Sequence, residues 1–157
     1  MSKIRVAESM VIDAKPEEIY ALLADYHSGH PQVLPRKYFK KLEIESGGQG
    51  AGTVFRTHIR AGGGEREYHM RVTEPAPGVL VESDIPTNLV TTFTVTPEQG
   101  GQQATLEIAT EWETPGVKGV FERLLAPPAM QRIYREELHQ VAEVVKSKQT
   151  AASGAQQ

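Results

Sequence analysis

Apolar and polar positions along the chain fall into two periods, first two and later about 3.6. Over residues 4–13, Ile4, Val6, Met10 and Ile12 share one face, which predicts a first strand. A helix start follows. Pro16 suits the first helical turn, Glu17 and Glu18 favour the positive end of the helix dipole, and Ile19, Tyr20, Leu22 and Leu23 form one stripe that stops near Asp25. Residues 26–35 carry Gly29, Pro31 and Pro35, which leave room for at most a short second helix. Strand patterns then occupy residues 41–46, with Leu42 and Ile44 inward, and 53–60, 65–74, 79–84, 89–96 and 103–112. Glycine and proline clusters at 47–52, 61–64 and 75–78 read as the turns between them. Residues 116–126 form a first helical segment interrupted by Pro127 and Pro128. From residue 129 onward, Met130, Ile133, Tyr134, Leu138, Val141, Ala142 and Val145 fall on one side of a helix. Arg132, Arg135, Glu136, His139, Glu143 and Lys146 fall on the other. A helix of about twenty residues spans roughly 30 Å. Its apolar face must cover something of that width, and the apolar side of the sheet is the candidate.

Strand pairing follows from the turns. A four-residue loop at 61–64 sets Arg60 against Glu65, His58 against Glu67 and Arg56 against His69, with Thr57–Tyr68 and Phe55–Met70 on the opposite face. A four-residue loop at 75–78 sets Arg71 against Glu82, His69 against Asp84 and Val72 against Val81. One face is then a ladder of opposite charges and the other is mainly apolar. The inward positions are Phe55, Thr57, Ile59, Tyr68, Met70, Val72, Val81, Phe93, Val95, Leu106, Ile108, Thr110 and Trp112, joined from the last helix by Met130, Ile133, Tyr134 and Leu138. These side chains make a core if packed. If hollow, they make apolar walls with polar anchors at Thr57, Tyr68, Thr110 and Tyr134.

The chain has 157 residues and no cysteine, which excludes disulfides, thiol catalysis and zinc–cysteine sites. Its net charge of −3 comes from 17 basic and 20 acidic residues spread along the chain, without the basic stripe of a nucleic-acid binder. No apolar run approaches the ~20 residues of a membrane span and no signal peptide is evident, so a cytoplasmic location is expected. The five histidines show no metal-ligand spacing. His58 and His69 belong to the charged ladder, His139 to the polar side of the last helix, and His27 and His30 to the loop segment after the first helix. Glu8 shares strand parity with Ile4, Val6, Met10 and Ile12. It either points to the apolar side, where burial would perturb its carboxyl, or returns to solvent at a bulge or edge. Arg66 lies on the Tyr68 and Met70 face, near enough to a strand end to snorkel outward or to hold a ligand carboxylate. Glu8 and Arg66 are the candidate catalytic groups. The glycine clusters lack a P-loop lysine and open no helix, so phosphate cradling is not expected.

Ala14, Pro16, Glu17, Ile19, Tyr20, Leu22, Leu23 and Asp25 match the opening motif A-x-P-E-x-[VI]-[WY]-x-L-L-x-D of the START/Bet v 1-like superfamily. Further matches are Gly50-Ala51-Gly52-Thr53 entering a strand, the turn at 75–78, and Arg123-Leu124-Leu125-Ala126-Pro127 ahead of Ile133-Tyr134-Arg135-Glu136-Glu137-Leu138. With the order of elements, the chain resembles the bacterial polyketide cyclase/dehydrase-like branch over about residues 4–148. The resemblance implies an α+β helix-grip fold: a curved seven-stranded antiparallel sheet wrapped around a long C-terminal helix, with two short helices after the first strand. One domain over 1–148 is expected, with a disordered tail at 149–157, where the residues are small and polar. The resemblance also implies a hollow interior, whose ligand-binding residues are the inward set above without Ile59, Val72 and Val95. The expected partner is an apolar small molecule such as a lipid, polyketide or aromatic metabolite. No cofactor, metal, nucleic acid or membrane insertion is expected, and the chain is a monomer or homodimer. Three functions compete: a carrier or sensor, a cyclase/dehydratase using acid/base groups in the cavity, and a protein-binding module on the outer sheet face. The charged ladder leaves the third without an exposed apolar patch.

Overall fold

A computed structural model describes residues 2–61 and 64–155, and of residues 2 and 117–125 the backbone alone. The elements are β1 (Ser2–Ile12), α1 (Pro16–Ala24), α2 (Gly29–Val33), β2 (Phe39–Ser46), β3 (Val54–Ala61), β4 (Gly64–Ala76), β5 (Val79–Asp84), β6 (Val90–Glu98), β7 (Gln103–Thr114) and α3 (Gly116–Gly154). The seven strands form one curved antiparallel sheet in the order β1-β7-β6-β5-β4-β3-β2, and α3 packs on it. This is the helix-grip architecture.

Alternation in β1 and β7 puts Ile4, Val6, Ile12, Leu106 and Ile108 on the concave face. At one end Ile12, Leu106 and Ile108 are buried in one cluster with Leu138, Val141 and Val145 of α3, with almost no exposure. Each such side chain contributes about 1.5–3 kcal/mol by leaving water. The helix and sheet are in direct contact at this end.

The β3–β4 hairpin has the expected register, with Arg60↔Glu65, His58↔Glu67, Arg56↔His69, Thr57↔Tyr68 and Phe55↔Met70; Gly62 and Gly63 of its loop lie outside the described residues. Its outer face carries the charged ladder: Arg56 reaches Glu45 at 2.5 Å and Glu67 at 2.6 Å, and His69 Nε2 lies 2.8 Å from Glu45 Oε2. Such exposed pairs add little stability, but a slipped register would lose all of them together.

The β4–β5 register is corrected by one residue. Ala76 pairs with Val79 around a two-residue turn, and an irregularity between Thr73 and Ala76 then sets Thr73 against Val81, Val72 against Glu82 and Met70 against Asp84. The extra β4 residue is held by segments distant in the chain. Glu74 accepts a 2.6 Å hydrogen bond from the Tyr20 hydroxyl and a 2.9 Å bond from the Ala51 N–H, which ties the bulge to α1 and the β2–β3 turn. Because side chains alternate, a slip of one exchanges the two faces of β5. Val81, expected inward, faces outward; Leu80, Glu82 and Asp84 are buried.

Two expectations about the C-terminal third also change. Pro127 and Pro128 lie inside one continuous helix, although each removes a rung that the carbonyls of residues 123 and 124 would otherwise accept. The helix also continues to Gly154 where a disordered stretch from 149 was expected, and the Gln149 amide donates to the Asp13 carbonyl and Glu18 Oε2, both at 3.3 Å. Gln156 and Gln157 lie outside the described residues.

Candidate functional site: an interior cavity with a buried acid cluster

Beyond the packed end, sheet and helix part around a cavity of about 510 Å³. On α3 its lining runs from Ala126 to Glu137, immediately before the packed Leu138. Of the fourteen wall residues expected from sequence, ten line it: Phe55, Thr57, Tyr68, Met70, Phe93, Thr110, Trp112, Met130, Ile133 and Tyr134. Leu106, Ile108 and Leu138 do not reach it. They are consumed by the direct helix–sheet contact. Val81 does not reach it because it faces outward.

The two candidate catalytic groups part company. Glu8 is outside the cavity lining. Its carboxylate is only partly exposed and is covered by Arg135 of α3, whose Nε lies 3.3 Å from Oε1. Parity did point Glu8 at the helix, but at the helix's charged flank. Arg66 is an exposed member of the lining, with its guanidinium 5.1 Å from the Tyr68 ring centroid.

The interior chemistry is elsewhere. Asp25 ends α1 and accepts N–H bonds from His27, Ser28 and Gly29 at 3.1–3.2 Å, with Ser28 Oγ at 2.6 Å. The Ser28 bond and these N–H groups hold its carboxyl below the usual range. This turn aims α2 so that His30, expected as a loop residue, is buried and lines the cavity. His30 Nδ1 lies 2.8 Å from the Leu23 carbonyl, an acceptor only, so Nδ1 carries the hydrogen. Its Nε2 then faces Glu82 Oε1 at 3.5 Å. Tyr26 stacks on His30 at 4.5 Å, and Phe93 closes the other side edge-on at 5.5 Å.

Glu82 accepts a 2.7 Å hydrogen bond from the Tyr26 hydroxyl. Burial raises its carboxyl above the ordinary value, while His30 and the Tyr26 bond pull it back down. Burial and the Glu82 charge keep the Tyr26 phenol protonated far above its normal range, so it remains a donor. Glu137 of α3 joins this end of the cavity. It is fully enclosed, and burial together with the Glu82 charge raises its carboxyl well above the ordinary value. Glu137 Oε1 has no hydrogen-bond partner among the described residues. A separate chain of hydroxyls runs from Thr91 to Thr110 at 2.7 Å and on to Tyr134.

Tyr26→Phe removes the strongest bond to Glu82 and leaves a buried oxygen less satisfied. A loss of about 1–3 kcal/mol is expected, read as a lower urea midpoint with an unchanged slope.

Glu137 was legible in part. It stands three residues after Tyr134, four after Ile133 and four before Val141, on the apolar stripe itself. Glu82 was hidden by the bulge, since residues 79–81 are apolar on both faces of the strand.

Fold and site together define a helix-grip protein with a hollow, apolar interior and an acid group at its inner end. The chain belongs to the family described as polyketide cyclase / dehydrase and lipid transport, whose model matches residues 3–146. None of the curated proteins matches the sequence. Among solved structures, the KanY protein is similar at 28% identity and a TM-score of 0.80, covering 93% of this chain and 99% of its own. A protein from Thermus thermophilus is 21% identical at TM-score 0.73, covering 92% and 99%. The Zhui aromatase/cyclase from Streptomyces sp. R1128 is 17% identical at TM-score 0.75, covering 96% and 98%. The last two likenesses concern the fold.

Proposed function

We propose that this protein binds an apolar small molecule inside the cavity, as a carrier or sensor. The observation that carries this reading is the cavity itself: about 510 Å³ in a chain of 157 residues, walled by Phe55, Met70, Phe93, Trp112, Met130 and Ile133. Sites for small molecules occupy about 300–1,000 Å³ and combine such walls with a few convergent polar groups. A void of this size without an occupant is costly, because its lining loses dispersion contacts. Family membership supports the reading, since the family's description includes lipid transport.

Acid/base catalysis of the cyclase or dehydratase kind is a second reading, favoured by one observation: His30, Glu82 and Glu137 converge on the same cavity. In this version the reactive groups are these three and not Glu8. Retention of an unchanged extracted ligand favours the carrier; turnover of an added ketone abolished by Glu82→Gln favours the enzyme.

The test of binding is native mass spectrometry of the purified chain, with a fluorescent apolar dye as displaceable probe. One dye per chain is expected in wild type. Ile59→Trp, which places an indole in the lining, is expected to weaken the dye at least tenfold with the fold intact by circular dichroism. Equal dye binding by both proteins would sink the cavity as the site.

A further inference from the structure

Glu137 is 2% exposed, lines the cavity, and keeps one carboxyl oxygen without a partner among the described residues. Buried polar atoms in native proteins nearly always have a partner, so an orphan inside a cavity marks a place where a ligand atom completes the set. We propose that Glu137 is the polar anchor of the cavity and that the ligand presents a hydrogen-bond acceptor, a ketone or similar carbonyl oxygen, to its carboxyl group. The proposal rests on the cavity being a ligand site.

The choice of an acceptor follows from where the proton sits. Glu82 has two groups that favour its charge, the Tyr26 hydroxyl and the positive form of His30. Glu137 has neither. Two neighbouring buried carboxyls do not both ionise cheaply, so the proton resides on Glu137. The upward displacement of its carboxyl by burial and by Glu82 agrees. The other titratable groups lining this space are His30 on α2, Tyr68 and the exposed Arg66 on β4, the exposed Glu113 on β7 and Tyr134 on α3 itself, with Tyr26 behind His30. Tyr134 is also held protonated by burial. Arg66 and Glu113 are exposed and screened.

A neutral carboxyl donates. An amine ligand would instead have to ionise Glu137 and bury an ion pair in the cavity, and the desolvation of two charges commonly exceeds their attraction. A carbonyl oxygen takes the O–H without moving charge into the interior. The apolar walls of the cavity include Phe55, Phe93, Ile133 and Met130, so the carbonyl is carried on an apolar body.

Three probes matched in heavy atoms test this by calorimetry on the full chain: acetylnaphthalene, isopropenylnaphthalene and 1-naphthylethylamine. Wild type is expected to bind the ketone about tenfold more tightly than the hydrocarbon, the scale of one net hydrogen bond, and the amine least. Because the Glu137 carboxyl is raised, its O–H is present at low pH and lost as pH rises, and the ketone preference falls with it. Glu137→Gln keeps a donor and should retain the preference with no pH dependence. Glu137→Leu should bind ketone and hydrocarbon alike. Wild type binding ketone and hydrocarbon equally, or the amine most tightly, would overturn the anchor while leaving the cavity as a site. Binding of no probe would overturn both readings.

Discussion

Gly29→Ala should be among the most destabilising single-methyl additions in this chain, costing about 1–3 kcal/mol or more as an overpacked site. A Cβ at Gly29 would stand 2.3 Å from the Leu22 carbonyl oxygen, 3.1 Å from its carbon and 3.2 Å from Asp25 Cβ. The first two are backbone of α1 and cannot swing aside. To relieve the clash α2 must move, and α2 carries His30. That movement breaks the bond from His30 to the Leu23 carbonyl, the contact with Glu82 and the stack on Tyr26. Each kcal/mol corresponds to about 2–4 °C in a chain of this size, so calorimetric melting should show a drop of several degrees. Gly64→Ala is the control, since nothing lies within 4 Å of its Cβ. Equal melting of the two variants would mean that the α1–α2 approach is not tight.

Glu137→Leu is expected to do the opposite, raising stability by about 1–3 kcal/mol, the cost of a buried polar atom left unpaired. The gain should depend on pH, and its sign is determined. A carboxyl raised in the folded state contributes stability that is full below its ordinary unfolded value and is lost as pH rises through the folded value. Wild type therefore weakens with rising pH on account of Glu137, whose carboxyl burial and the Glu82 charge hold up. The leucine variant lacks that contribution, so its advantage widens from acid to alkaline solution. Urea unfolding at about pH 5, 7 and 9 reads it directly. A variant less stable than wild type throughout would show that Glu137 has a stabilising partner in the free protein. A stabilising change that removes the anchor is the usual relation between a binding group and the fold that carries it.

The same pair of carboxyls marks the limit of what local pattern reveals. Period-two alternation and the two glycine-rich turns were enough to place seven strands, and the β3–β4 register follows from loop length and charge pairing alone. The apolar stripe from Met130 to Val145 was enough to identify the helix that the sheet grips. These features are encoded within a few neighbouring residues, where a wrong choice would expose apolar side chains or oppose like charges.

The hollow and its chemistry were not encoded locally. A bulge at Glu74 depends on Tyr20 of α1 and Ala51 of another turn, far away in sequence, and that single extra residue sent Glu82 inward and Val81 out. His30 became interior because the Asp25 turn folds α2 under α1. Leu106, Ile108 and Leu138 look from sequence like the ten wall residues that do face the cavity, yet they lie where helix and sheet touch. By itself the sequence determined the strands, the gripping helix and the apolar face between them. Only the tertiary structure decided where that face closes and where it stays open, because the gap between helix and sheet depends on contacts between elements distant in the chain.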